Sequence, residues 1–165
     1  MFIAEIDREA GGTVKALERV PQDKLDWRPH AKSRTIGELA QHVASIPLSG
    51  ANGLRTGKRE MGSRPAATAP NTDFAGTFKK NVEEFKAALS QMSDDKLQNE
   101  TFSFMMNDKP VRTWPKADFL RNVVMNHFIH HRGQLTVYLR LLDIPVPAIY
   151  GVSADENPFA VSSRA

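Results

Sequence analysis

The sequence predicts an all-α protein, a four-helix bundle in which a long crossover connection joins helices 2 and 3. Four segments carry apolar residues near helical spacing, and no sustained apolar alternation of the kind found in strands interrupts them. Residues 52–70 are rich in Gly, Pro, Ser, Ala and charge, and this connection is long enough to cross a bundle. The length of 165 residues fits a single domain over residues 1–165 with one core.

Helices 1 and 2 are predicted from apolar spacing and from a capping signal. Helix 1 is expected over residues 2–20, where apolar residues recur near helical spacing. Helix 2 is expected to begin near Thr35, because Thr35 and Glu38 form a capping-box sequence. Pro47 has no backbone N–H to donate, so it is expected to kink or interrupt this helix.

Helices 3 and 4 follow the long connection. Helix 3 is expected over residues 74–92, with Asp73 as its N-cap. Residues 98–111 alternate in polarity and include the turn signal Asn107-Asp108, which indicates a short hairpin. Helix 4 is expected over residues 115–142, because proline is tolerated in the first turn of a helix and further prolines follow its end. The C-terminal tail is expected to be irregular.

Composition excludes several classes of function. The net charge is +3, from 22 basic and 19 acidic residues, which is too small to predict a nucleic-acid partner. The chain has no cysteine, so disulfides, thiolate metal ligands and a cysteine nucleophile are all excluded. The N-terminus carries acidic residues rather than the basic and apolar run of a secretory leader, and no apolar stretch approaches the ~20 residues of a membrane span. We therefore expect a cytoplasmic protein that is not inserted in a membrane.

The histidines carry the strongest chemical signal. His127 and His131 are four residues apart, which places both imidazoles on one face of a helix. His42 falls near the apolar face of helix 2 and could join them. Three imidazoles leave one position of a metal open, as catalytic sites require, and they suit Zn, Ni, Fe, Co or Cu better than Mg or Ca. The predicted apolar stripe of helix 4 contains both helix-4 histidines and runs through Leu120, Val124, His127, His131, Leu135, Tyr138 and Leu142.

Other interpretations of the histidines stay open at this stage. A buried histidine is more often hydrogen-bonded to protein than bound to a metal, and surface histidines often have no function. His130 competes with His131, since residues three apart also lie on one helix face; the stripe favours His131. Among the neighbours, Gln134 could hydrogen-bond a ligand histidine, Glu38 could orient His42 although its capping role is favoured, and Arg132 is expected in an ion pair between helices or subunits.

Four parts of the chain match the pattern of one protein family. They are residues 29–33 (PHAKS), residues 36–44 (IGELAQHVA), His127 with residues 131–135 (HRGQL), and residues 145–156 (PVPAIYGVSADE). In these segments the chain resembles the DinB family of metalloenzymes. The resemblance implies a four-helix bundle, frequently a homodimer, with a divalent metal held by one histidine of helix 2 and two of helix 4. Those positions are His42, His127 and His131 in this sequence.

The resemblance does not fix one reaction. Related branches include transferases that use low-molecular-weight thiols such as bacillithiol, and a mycothiol-dependent isomerase. We therefore expect a metal-dependent enzyme, a thiol S-transferase or a hydrolase, in which the metal generates a nucleophile by lowering the pKa of a bound thiol or water. The sequence identifies no general base. The alternative is a non-enzymatic bundle that senses or stores a metal, or that binds a small ligand.

Overall fold

A computed structural model describes residues 1–62 and 72–159 of the chain. Residues 63–71, which include the second part of the predicted connection, and residues 160–165, the end of the tail, lie outside the described residues. The elements in chain order are α1 (Phe2–Glu18), a 3-10 turn (Gln22–Lys24), α2 (Ile36–Thr56), β1 (Lys58–Glu60), α3 (Phe74–Leu89), α4 (Asp94–Asn99), β2 (Thr101–Met106), β3 (Lys109–Pro115), α5 (Lys116–Phe119), a π-helical segment (Leu120–Met125) and α6 (Asn126–Leu141).

The prediction of an all-α four-helix bundle is wrong, because the protein also contains a three-stranded mixed sheet of order β1-β2-β3. β1 pairs with β2 in parallel, with Arg59 opposite Phe104, and β2 pairs with β3 in antiparallel orientation. The residues of β1 and most of β3 are exposed, so neither strand shows the apolar alternation by which strands are recognised. The parallel pairing also joins strands more than 40 residues apart, which no local pattern reveals.

The hairpin predicted within residues 98–111 is confirmed as β2 and β3. A two-residue turn joins the strands, and both of its residues have a left-handed backbone, with φ of 50° at Asn107 and 60° at Asp108. Positive φ at both central positions is the geometry that matches the twist of a tight hairpin, and Asn and Asp tolerate it better than most residues. The local turn chemistry therefore specified this part of the sheet.

Helix α2 begins as predicted but ends later. The Thr35 hydroxyl accepts a hydrogen bond from the Glu38 N–H at 3.1 Å, and the Glu38 carboxylate accepts one from the Thr35 N–H at 2.9 Å. Pro47 was predicted to kink or interrupt the helix, and of these two outcomes the interruption is not found, since one helix extends across Pro47 to Thr56. Asp73 caps α3 as predicted, accepting a hydrogen bond from Gly76 at 2.7 Å.

Helix α2 lies at the centre of the packing. Its glycines allow close contact: a Cβ built at Gly53 would lie 2.5 Å from the Phe119 ring, and one at Gly50 would lie 2.9 Å from Phe85. Larger residues at these positions would overfill the core. Among residues 1–62 and 72–159, no helix combines the length and apolar character needed to cross a bilayer.

The predicted fourth helix is present as three consecutive segments rather than one regular α-helix. The π-helical segment between α5 and α6 changes the spacing of residues around the helix axis, because its hydrogen bonds span one residue more than those of an α-helix. Leu120, Val124 and Leu135 of the predicted stripe are buried, whereas His127 and His131 are half-buried at its edge. The buried residues of α6 are Phe128, Arg132, Leu135 and Leu139.

Arg132 forms the ion pair between helices that the sequence predicts. Its side chain is 2% exposed, and its guanidinium lies 2.8 Å from the Glu9 carboxylate of α1. It also donates hydrogen bonds to Thr13 Oγ1 at 3.1 Å and to the Tyr150 hydroxyl. The segment after α6 is irregular, as predicted, and this contact holds it against α1.

Candidate metal centre

The structure brings together the three histidines that the sequence singled out. α2 supplies His42, and α6 supplies His127 and His131 one turn apart. The ring centroids are 4.9 Å apart for His42 and His127, and 4.6 Å apart for the other two pairs. One ring nitrogen from each lies within 4.8 Å of the others, so the group could hold a metal ion. We call these three residues the histidine cluster.

Two hydrogen bonds fix the rings of α6. His127 Nδ1 lies 3.2 Å from the carbonyl oxygen of Val123, and His131 Nδ1 lies 2.7 Å from Gln134 Oε1. Both partners are acceptors, so each Nδ1 carries the hydrogen and each Nε2 keeps its lone pair. Metal-binding histidines have the same arrangement, in which the outer ring nitrogen donates to an oxygen and the inner one binds the metal.

The π-helical segment contributes directly to this orientation. Val123, whose carbonyl holds His127, belongs to the segment, which ends immediately before α6. A wide helical turn of this kind requires the surrounding packing to stabilise it, and such turns are frequent at functional sites. Here the segment supplies the acceptor that orients one histidine.

Burial keeps the histidine cluster neutral. Desolvation lowers the pKa of His42 from 6.5 to about 3, and the positive charge of Arg34 is the next largest cause. Desolvation also lowers the pKa values of His127 and His131, although the hydrogen bonds to Val123 and Gln134 oppose it. At neutral pH all three imidazoles are therefore in the unprotonated form that binds metals.

The spacing of the nitrogens fits a metal. His42 Nε2 and His127 Nε2 are 3.3 Å apart. Two nitrogens bound tetrahedrally to one zinc ion at ~2.0–2.1 Å are themselves separated by about 3.3 Å. A hydrogen bond between these two rings fits the distance as well, but it leaves out His131. The all-nitrogen donor set suits transition metals, as the sequence indicated.

Other residues considered from the sequence have different surroundings. His130 is exposed and outside the histidine cluster, although its ring contacts His131 edge-on with centroids 5.0 Å apart. His30 is exposed in a loop, where its Nδ1 accepts a hydrogen bond from the Lys32 N–H at 3.2 Å. Glu38 has the capping role described above, and the predicted hydrogen bond from a cluster histidine to Gln134 is present.

Sequence reasoning missed two arginines near the histidine cluster. The charge of Arg34 acts on all three histidines, and that of Arg59 acts on His42. Arg34 directly precedes Thr35, the N-cap of α2. Because the capping box was recognised from the sequence, the position of Arg34 about two turns before His42 could have been predicted as well. Arg59 lies on β1, which the sequence gave no reason to expect.

A family model described as the DinB family matches residues 1–158. The chain belongs to the DinB family. Among curated proteins it is similar to the Bacillus subtilis (strain 168) protein YrdA, with 27% identity over 156 residues that cover 94% of this chain and 89% of YrdA. YjoA from the same organism is 25% identical over 128 residues, which cover 78% of this chain and 80% of YjoA. Both are named as uncharacterized proteins.

Solved structures of DinB-like proteins share the fold. The crystal structure of YjoA from Bacillus subtilis superposes with a TM-score of 0.67 and 20% identity, covering 89% of this chain and 96% of YjoA. A DinB-like protein from Bacillus cereus ATCC 10987 gives a TM-score of 0.66 and 28% identity, covering 90% of this chain and 95% of that protein. The two superpositions therefore cover about nine tenths of this chain and nearly all of each solved structure.

Proposed function

We propose that this DinB-family protein is an enzyme dependent on a divalent transition metal, a thiol S-transferase or a hydrolase. His42, His127 and His131 hold the metal. The observation that carries the proposal is the convergence of three neutral imidazoles, two of which have their Nδ1 hydrogens directed to protein oxygens. Support for the reaction class comes from the donor set of three imidazoles. The names of the Bacillus subtilis relatives state no activity and do not contribute to it.

The chemistry follows from three protein ligands. His42, His127 and His131 would hold the metal and leave one position for a substrate atom, where the metal would lower the pKa of a bound thiol or water and stabilise negative charge. Val123 and Gln134 hold two of the imidazoles in one orientation, so the ligand atoms are arranged before the metal arrives. The three histidines are half-buried, so the cluster is neither sealed in the core nor fully exposed to water.

Metal reconstitution tests the proposal. The purified protein is stripped with a chelator, reloaded separately with Zn²⁺, Ni²⁺, Fe²⁺ and Co²⁺, and analysed for metal content. We expect about one ion per chain for at least one of these metals. His42→Ala, His127→Ala and His131→Ala should each weaken binding so far that stoichiometric metal is no longer retained, whereas the matched variants His30→Ala and His130→Ala should retain it. Absence of stoichiometric metal in the reconstituted wild type contradicts the proposal.

The cobalt form then separates the enzyme from a passive metal-binding module. Co²⁺ absorbs visible light, and its spectrum changes when a ligand enters the coordination sphere. Addition of 2-mercaptoethanol should change the spectrum of the enzyme, because the thiol occupies the position left by the three histidines. A cobalt spectrum that is indifferent to thiols, to hydroxide and to small anions would instead indicate a closed sensing or storage site.

A further inference from the structure

A cavity of about 370 Å³ lies beside the first turn of α1, and none of the cluster histidines is among its lining residues. Its volume falls in the lower range of small-molecule sites, roughly 300–1,000 Å³. The start of α1, the end of α3, α4, and the helix that continues from α5 into the π-helical segment form its walls. We call it the N-terminal cavity. The residues that line it include Phe2, Met92, Asp94, Leu97, Asp118 and Arg121.

Helical spacing directs two pairs of side chains into the N-terminal cavity. Asp94 and Leu97 of α4 are three residues apart, as are Asp118 and Arg121, so each pair shares one face of its helix. α4 buries none of its residues, and its one apolar side chain, that of Leu97, is half-buried. Leu97 is therefore part of a cavity wall rather than sealed in the core.

The floor of the N-terminal cavity is apolar. Phe2 and Leu89 are buried members of the hydrophobic core, and the half-buried Met92 lines the cavity with them. A methionine side chain adapts to the shape of a ligand and makes favourable contacts with aromatic rings. The Arg121 guanidinium lies 5.2 Å from the centre of the Phe2 ring. The floor can therefore accept the apolar part of a small molecule.

The charges around the N-terminal cavity are not balanced. Arg121 donates hydrogen bonds of 2.6 and 2.7 Å to the two carboxylate oxygens of Glu5, so its charge is already matched. Among residues 1–62 and 72–159, neither Asp94 nor Asp118 forms an ion pair. The α-amino group of Met1 can balance one of these carboxylates but not both. The cavity therefore combines an apolar floor with excess negative charge.

A second cavity of similar size offers a comparison. It has a volume of about 310 Å³, and residues of α1 and α3 line it. In the part of the chain that the structure describes, three of its four charged lining residues, Asp7, Lys79 and Glu83, are in ion pairs. Two of these pairs join α1 to α3. The charges of the second cavity are thus largely used by the fold, whereas the two carboxylates of the N-terminal cavity are not.

We propose that the N-terminal cavity binds a small molecule with an apolar body and one ammonium group. The body packs against Phe2, Leu89 and Met92, and the ammonium group pairs with Asp94 or Asp118. A hydrogen bond between two charged groups is stronger than one between neutral groups, and a site with excess negative charge attracts cations. This binding site goes beyond the proposed function, because it neither includes the histidine cluster nor requires a metal.

Three probes of similar size and different charge test the proposal. Phenethylamine, 2-phenylethanol and phenylacetate are cationic, neutral and anionic at neutral pH. Each is titrated into metal-free protein that carries carbon-13 in its methionine methyl groups. Dissociation constants are obtained from the NMR shift of the Met92 signal, which Met92→Leu identifies. Phenethylamine should bind about tenfold more tightly than 2-phenylethanol, consistent with one charge-assisted contact, and phenylacetate should bind most weakly.

Variants identify the groups responsible for the preference. D94N/D118N removes both carboxylates and should bind phenethylamine and 2-phenylethanol equally. The control D23N/D95N removes two exposed carboxylates that are not among the described lining residues, so it should keep the preference. Ala117→Leu places a larger side chain in the cavity and should weaken the binding of all three probes. Thermal unfolding followed by circular dichroism confirms that each variant is folded.

The outcomes decide the proposal without reference to the metal centre. It is overturned if no probe shifts the Met92 signal, or if wild type binds phenethylamine no more tightly than the other two probes. A preference that survives in D94N/D118N also overturns it. The two carboxylates would then serve only the first turns of α4 and α5, where acidic residues are favoured. A preference that weakens as salt rises supports the electrostatic origin.

Discussion

His131 and Arg132 are neighbours on α6, yet they belong to two polar clusters of opposite character. Arg132 is buried and bound by Glu9, Thr13 and Tyr150, so its charge and several of its N–H groups have partners. The histidine cluster is half-buried and holds three neutral rings against one another, with cationic rather than acidic neighbours. A polar cluster whose donors and acceptors are hydrogen-bonded to one another stabilises a fold. A cluster whose ligand atoms face a common point is instead a candidate for binding a metal.

The contrast extends to the partners of each cluster. The Tyr150 hydroxyl donates to the Glu9 carboxylate at 2.6 Å, and burial with this contact raises the pKa of Tyr150. The Arg132 cluster therefore closes into a network that joins α1, α6 and the C-terminal segment. In the histidine cluster the outer Nδ1 atoms of α6 are bonded outward, and the inner atoms face each other. The first cluster should govern folding, and the second should govern metal binding.

The largest expected effect comes from breaking the Arg132 cluster. Arg132→Met leaves Glu9, whose side chain is 14% exposed, without its cation. We expect a loss of about 3 kcal/mol in the free energy of unfolding, the lower end for a broken buried pair. Urea denaturation measures it. Arg140→Met removes an exposed partner of Asp155 and should lose less than about 1 kcal/mol. Similar small losses in both variants would contradict a structural role for Arg132.

The next largest effect is expected on metal affinity rather than on the stability of the fold. His127→Ala should weaken metal binding by more than about 100-fold, equivalent to ~2.7 kcal/mol, because one of three ligands is lost. The free energy of unfolding of the metal-free protein should change by less than about 1 kcal/mol, because the half-buried His127 ring has few other hydrogen-bond partners. Competition with a metal indicator and urea denaturation measure the two quantities. His130→Ala is the control for metal binding. If His127→Ala strongly destabilised the metal-free protein but left metal affinity unchanged, His127 would stabilise the fold rather than bind the metal.

A smaller effect is expected from the outer hydrogen bond of His131. Gln134→Leu removes the acceptor that fixes its ring, and we expect metal affinity to fall by about 10- to 100-fold. Gln134→Glu keeps an acceptor at the same place and should bind metal at least as tightly as wild type. Competition with the same indicator measures both variants. Equal affinities for Gln134→Leu and wild type would show that the contact does not orient a ligand.

The smallest expected effect concerns acid stability at a structural ion pair away from the histidines. The hydrogen bond from Arg121 is the largest cause that lowers the pKa of Glu5 below 4.5, and burial opposes it. A lowered folded-state pKa stabilises the protein above the unfolded-state pKa, and this contribution is lost as pH falls through the folded value. Wild type should therefore lose up to about 1 kcal/mol more than Glu5→Gln between pH 7 and pH 3, given the partial exposure of the pair.

Urea denaturation at both pH values measures this difference in acid stability. The two hydrogen bonds from Arg121 to Glu5 are 2.6 and 2.7 Å long. If wild type and Glu5→Gln lost the same free energy of unfolding between pH 7 and pH 3, this pair would not contribute to stability at neutral pH. Arg121→Gln should reproduce the behaviour of Glu5→Gln, because either change removes the interaction that lowers the pKa. Such a result would show that the Glu5–Arg121 pair, like the Arg132 cluster, stabilises the fold.

Much of the fold could be predicted where the determinant is local. Thr35 and Glu38 form the capping box that starts α2, Asp73 caps α3, and Asn107-Asp108 makes the hairpin turn. β1 could not be predicted, because Lys58, Arg59 and Glu60 are all exposed and their pairing with β2 is distant in sequence.

The candidate site shows the same division. The spacing of His127 and His131 is local, and it identified two members of the cluster. The π-helical segment has no signal in its sequence. The predicted stripe correctly included Leu135 but omitted Phe128, Arg132 and Leu139, which are also buried in α6. Arg132 is buried in α6 because Glu9 and Thr13 of another helix bind its guanidinium, a condition that no local pattern contains.

The most direct test of the central claim is X-ray absorption spectroscopy of the zinc-loaded protein. We predict three imidazole nitrogens at ~2.0–2.1 Å from the zinc, and the appearance of a sulfur at ~2.3 Å after 2-mercaptoethanol is added. His127→Ala should lower the imidazole count or eliminate stoichiometric zinc, while Arg132→Met, if it is folded, should leave the zinc environment unchanged. A wild-type protein that retains no zinc, or a zinc environment without these imidazoles, would contradict the account.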